Sequence, residues 1–142
     1  MKELTILLIA VIVFGILFNK IKQNLNLTSV ESTVDGREYT VRKLPDKLDA
    51  ANKLAEINKS LTKLVKFVYE DKNKDTDKVK GILQLYTKFD PNNLTENTPG
   101  GKYTAYSVNK GEQLALCLRN VKDNTFIDNN TVYFVAIHEL AH

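Results

Sequence analysis

Cysteine, histidine and arginine are scarce in this chain, and each scarcity removes a class of function. Cys117 is the only cysteine among 142 residues, so neither an internal disulfide nor a cysteine-based zinc cage can form. It sits within Leu114-Ala115-Leu116-Cys117-Leu118, where it reads as a buried, inert thiol. Arginine occurs three times against seventeen lysines, and the basic residues are spread along the whole chain under a net charge of +3. Phosphate and base recognition favours arginine and needs basic residues gathered on one face, so no nucleic-acid partner is expected. No P-loop, no G-x-G-x-x-G fingerprint, no serine or cysteine nucleophile elbow and no internal repeat is present. The four N-x-S/T sequons at Asn26, Asn58, Asn93 and Asn129 are read as chance in an asparagine-rich chain.

What is abundant is apolar pattern. Residues 4–18, LTILLIAVIVFGILF, are apolar apart from Thr5. At 1.5 Å per residue they cover roughly 22 Å, less than the ~30 Å hydrocarbon core. Extension to Ile21, with Lys2, Lys20 and Lys22 snorkelling outward, would complete a span. The expectation is a retained single-pass transmembrane anchor over 1–22 and a membrane localisation. A cleaved signal peptide is disfavoured by Phe18-Asn19-Lys20-Ile21-Lys22 at the place where small residues belong. A buried soluble helix is the remaining reading. Residues 23–36 lack period and read as a linker ending at the turn pair Asp35-Gly36.

Residues 37–44 alternate, with Tyr39 and Val41 on one side, which predicts a half-buried strand. Pro45-Asp46 opens a helix whose apolar stripe (Leu48, Ala51, Leu54, Ile57, Leu61, Leu64, Val65, Val68) runs to about Tyr69. A second helix, capped by Thr76 or Asp77, carries Val79, Ile82, Leu83, Tyr86 and Phe89. Residues 90–101 read as a loop. YTAYSV and QLALCLR flank Asn109-Lys110-Gly111-Glu112 and predict a hairpin. Asp128 or Asn129 caps a last helix with Val132, Val135, Ala136 and Leu140 toward the core.

That helix ends in His138-Glu139-Leu140-Ala141-His142, which contains both histidines of the chain. Two imidazoles four residues apart on a helix differ by about 40° around the axis and 6 Å along it, so both can reach one tetrahedral ion. Glu139 points about 100° away from His138 and is placed to move a proton instead of ligating. Randomly placed histidines would give this arrangement in roughly one such sequence in a thousand. The competing reading is an ordinary helix end with surface histidines.

VAIHELAH, with YSVNKGEQLALCLR before it, resembles the zinc metallopeptidases of the WLM and SprT-like group, and most of all membrane-anchored members from large DNA viruses. The resemblance covers about residues 80–142. It implies an α+β zincin fold, in which helices and a small antiparallel sheet lie over an active-site helix. It also implies Zn²⁺ as cofactor, His138 and His142 as metal ligands, Glu139 as catalytic base, and a protein or peptide substrate. Such families take a third ligand, typically a histidine about six residues after the second, and nothing here follows His142. The expectation is therefore that 37–142 form the N-terminal part of a metallopeptidase domain whose third ligand lies beyond His142. The rivals are a non-catalytic anchored interaction module with a peptidase-like fold, and a metal-binding or scaffold protein without hydrolytic activity.

Overall fold

The computed structural model describes residues 2–71, 76–98 and 105–141, and the backbone alone for 19–25. Its elements in chain order are α1 (Lys2–Leu25), β1 (Leu27–Glu31), β2 (Glu38–Arg42), α2 (Lys47–Glu70), α3 (Val79–Lys88), β3 (Leu94–Glu96), β4 (Ala105–Val108), β5 (Gln113–Leu116) and α4 (Asn129–Ala141). The five strands make one mixed sheet in the order β1-β2-β3-β5-β4. The outer pairs β1/β2 and β4/β5 are antiparallel, whereas β3 runs parallel to both β2 and β5. The antiparallel sheet expected from the resemblance is thus corrected to a mixed one. The parallel pairs follow from the connections, because α2 and α3 carry the chain back across the sheet between β2 and β3.

The expected linker at 23–36 contains β1, whose register runs from Leu27 opposite Arg42 to Glu31 opposite Glu38. The turn between β1 and β2 is closed by Ser32 N–H donating to the Arg37 carbonyl at 2.8 Å and Gly36 N–H to the Ser32 carbonyl at 2.9 Å. Gly36 has φ +72, a left-handed conformation that an L side chain rarely adopts. Ser32 Oγ and Thr33 N–H both donate to Asn52 Oδ1, at 2.8 and 2.9 Å, which ties the turn to α2.

Two helices cover the sheet, with α2 against β1, β2 and β3 and α4 against β4 and β5. The core is built from Tyr39 and Val41 of β2, the stripe Ala51, Leu54, Ala55, Ile57 and Leu61 of α2, the β5 leucines, and Val132, Ala136 and Leu140 of α4. Period 2 in the strands and period 3.6 in the helices bring these residues to one interface. Fully burying one such leucine or valine contributes about 1.5–3 kcal/mol.

The expectation for the N-terminal segment is corrected. Among the described residues no helix is long and apolar enough to cross a membrane. The apolar run at 4–18 is about 22 Å long, and the residues that would have extended it are ones whose side chains are not described. The single-pass membrane protein expected from the sequence is accordingly not supported. α1 nonetheless stands apart from the core: Leu4, Ile6, Val11, Phe14 and Phe18 are all exposed.

Candidate functional site

α4 begins with a capping arrangement foreseen from the sequence. Asp128 Oδ2 accepts from Thr131 N–H at 3.0 Å and Oδ1 from Thr131 Oγ at 2.7 Å, satisfying donors of the first turn. These hydrogen bonds hold the Asp128 carboxyl below its usual range. The helix then buries Val132, Ala136 and Leu140. His138 lies two residues from both Ala136 and Leu140, about 200° around the axis, which puts it on the exposed side. Glu139, next to the buried stripe, is half-buried. His142 lies outside the described residues, so its position relative to His138 carries no statement.

The last turn of α4 is held by the β4–β5 hairpin. Val108 faces Gln113 across the turn Asn109-Lys110-Gly111-Glu112, as expected for these residues, and Asn109, Lys110 and Gly111 all have positive φ. A Cβ on Gly111 would lie 2.7 Å from Leu140 Cδ2 and 3.1 Å from Phe89 Cδ2. The turn backbone therefore packs directly on the middle residue of His138-Glu139-Leu140-Ala141-His142. The two stretches on which the resemblance rests, far apart in the chain, meet in space. Beyond β4 no further strand lies at this edge among the described residues.

Among the described residues no three His, Cys, Asp or Glu side chains stand together as a metal-holding group. The expectation of a metal-binding protein is corrected to that extent: the described residues do not form a metal site by themselves. Of the two implied ligands, His138 is an exposed imidazole on the last turn of α4, and His142 lies outside the described residues. Two imidazoles would still fill only two of the four positions zinc prefers. Cys117 adds no ligand or nucleophile to this region. It is half-buried, its Sγ–H donates to the Asn97 carbonyl at 3.8 Å, and burial pushes its thiol up, with nearby Glu96 adding to the effect.

A charged cluster that the sequence did not announce lies at the other end of the core. Arg119 is 2 % exposed, and its Nε donates to Glu96 Oε1 at 2.7 Å. Its Nη1 donates to Asp46 Oδ1 and Oδ2 at 2.7 and 2.8 Å, and its guanidinium lies 4.4 Å from the Phe126 ring centroid. Glu96 Oε2 accepts the Arg42 N–H at 2.8 Å. Burial alone would lower the Arg119 pKa, but the hydrogen bonds to Glu96 and Asp46 outweigh it and hold the value above normal. Asp46, expected to sit over the positive end of α2, makes no side-chain cap and spends its carboxylate on Arg119. The one signal in the sequence was a cation placed directly after an apolar run.

Fold and site together define an α+β domain that presents the helix carrying His138 and Glu139 beside the edge hairpin of a mixed sheet. The chain is 37% identical over 139 residues to the uncharacterized protein R325 of Acanthamoeba polyphaga mimivirus, an alignment that covers 98% of this chain and 71% of that protein. The chain belongs to the family of that mimivirus protein. No protein-family model matches it, and no solved structure does.

Proposed function

We propose that the chain is part of a zinc-dependent peptidase of the H-E-x-x-H type, in the manner of the WLM and SprT-like group. The observation that carries this reading is the setting of the motif. His138 is on the exposed side of α4, while Leu140 in the same turn is clamped by the Gly111 backbone. A ligand on a rigid helix turn loses little freedom on binding a metal, which is what a working site needs.

His138 and His142 would hold the metal, with the remaining positions filled from outside the described residues. A zinc ion held there would supply Lewis acidity to a water and to a substrate carbonyl. Glu139 would take the proton of the attacking water and hand it to the leaving amine nitrogen. The edge of β4, which pairs with no further strand among the described residues, would let an extended peptide add to the sheet through main-chain hydrogen bonds, beside the helix that carries His138.

A non-catalytic interaction module is the second reading, favoured by the lack of any three-ligand group among the described residues. Metal content and turnover, measured together, separate the two. The protein is expressed with any coding sequence that follows His142 included, alongside Glu139→Gln, His138→Ala and His142→Ala. The peptidase reading expects about one zinc per chain and slow cleavage of an unstructured protein. Glu139→Gln should keep the zinc and abolish cleavage, whereas either histidine change should lose both. The 142-residue chain should bind zinc only weakly. Cleavage that survives Glu139→Gln would sink the mechanism, and a zinc-free protein would leave the module.

A further inference from the structure

The seventeen lysines are spread along the sequence, but the fold gathers some of the basic residues. The β1–β2 turn and the outer side of α2 enclose a cavity of about 390 Å³, within the ~300–1,000 Å³ typical of small-ligand sites. Arg37, Lys59 and Lys63 line it, and all three are exposed. None of the three makes an ion pair among the described residues, where the salt bridges belong to Arg119. Asp35 is the one acid in the lining, and its oxygens already accept the Arg37 N–H at 2.9 Å and the Tyr39 hydroxyl. Three cations against one carboxylate leave a net charge of about +2 in a concave wall.

The wall is also built in advance. Asn52 fixes the turn to α2 through Ser32 and Thr33, and buried Asn58 behind the cavity donates to the Tyr39 hydroxyl at 2.9 Å and to the Pro91 carbonyl at 2.8 Å. Lys59 and Lys63 stand four residues apart on α2 and so share a face, and Thr62 between them donates its hydroxyl to Asn58 Oδ1 at 3.4 Å. A solvated lysine face explains charges on a convex helix. It does not explain why an arginine from a pinned turn lines the same cavity as two lysines, with only the Asp35 carboxylate to offset them.

We propose that this cavity binds a small polyphosphorylated molecule through its phosphoryl oxygens, with the Arg37 fork and the Lys59 and Lys63 ammonium groups as the recognising charges. The proposal is independent of the peptidase reading, because none of these residues touches α4's motif. The test uses the 142-residue chain titrated with inorganic tripolyphosphate, with ATP and inorganic phosphate as further arms, at low ionic strength and without divalent metal. Calorimetry should show saturable one-to-one binding with Kd on the order of 100 μM, weakened by salt. Amide NMR shifts should concentrate at residues 34–37 and 58–63. ATP binding tighter than tripolyphosphate would identify a nucleotide, and the reverse a linear phosphate; either outcome supports the site.

Arg37→Ala and Lys63→Ala should each weaken binding about three- to tenfold. Lys47→Ala removes the same charge from the first turn of α2, outside the cavity, and should leave affinity within about twofold. An equal loss in Lys47→Ala, shifts centred elsewhere, or no saturation by about 10 mM would overturn the proposal. So would tighter binding of a single-stranded oligonucleotide whose shifts run well beyond the cavity, which would make this face a nucleic-acid surface instead.

Discussion

Glu96 occupies a core-facing position of a three-residue strand, and such a place ordinarily belongs to an apolar side chain. It is tolerated because both of its oxygens are used, one by Arg119 Nε and the other by the Arg42 N–H. The arrangement ties β2, β3, the start of α2 and the segment after β5 to one guanidinium. Tyr39 is a second polar group in the core, 1 % exposed, with its hydroxyl donating to Asp35 and accepting from Asn58. Burial is the main reason its pKa is pushed up to about 12 from 10.0, with the hydrogen bond from Asn58 pulling the other way. A raised folded-state pKa means that the native protein holds this proton more tightly than the unfolded chain. The associated stability is complete below pH ~10 and is lost as pH rises from there through ~12. Chemical denaturation across that window should show a loss on the order of 2 kcal/mol at most that Tyr39→Phe does not share. The difference between the two proteins is the quantity to read. Identical pH slopes would show that Tyr39 ionises as freely as in the unfolded chain.

At the scale of elements, segments with a clear period or a turn signal were legible, and two short strands without either were not. α2 and α4 announced themselves through apolar residues at three- and four-residue steps and through Asp128 as a cap. β2 did so through the alternation of Tyr39 and Val41. β1 and β3 escaped because LTSVE and LTE have too few apolar residues to show a period, and pairing with β2 and β5 decides their state. The motif at the end of α4 was legible because its spacing is chemical. The Arg119 cluster and the Arg37 cavity were not, since each assembles charges from segments distant in the chain. The hairpin was read from its turn residues, yet the reason for its glycine became visible only in three dimensions. Gly111 has φ +96 and no room for a methyl group against Leu140 and Phe89. Gly111→Ala combines backbone strain with overpacking and should cost about 2–4 kcal/mol in thermal or urea unfolding. It should also disturb the amide signals of residues 137–141 more than those of α2. A cost below about 0.5 kcal/mol would mean the turn does not clamp α4.

The whole molecule divides into a packed domain and a helix that adds little to it. Among the described residues the core cluster draws on Tyr39 to Leu140 and takes none from α1, whose main contact is with β1. Along 4–18 the helix is apolar on every side, and its large side chains are about half or more exposed, from Leu4 at 64% to Phe18 at 58%. A helix that is apolar all round is stable in water only when something covers it. Contiguous exposed apolar area of this kind drives association, because each covered side chain gains roughly 25 cal/mol per Å² removed from water. The protein should therefore self-associate in dilute buffer in a concentration-dependent way. A form beginning at Asn26 should be monomeric by sedimentation and unfold within about 2–4 °C of the domain in the full chain, since no described side chain of α1 belongs to the core cluster. The comparison has to be made at low concentration, where association adds no stability of its own by mass action. A midpoint more than about 8 °C lower would place α1 in the folded core and contradict its exposure. A full chain that stays monomeric at every concentration would show that α1 folds back onto the domain.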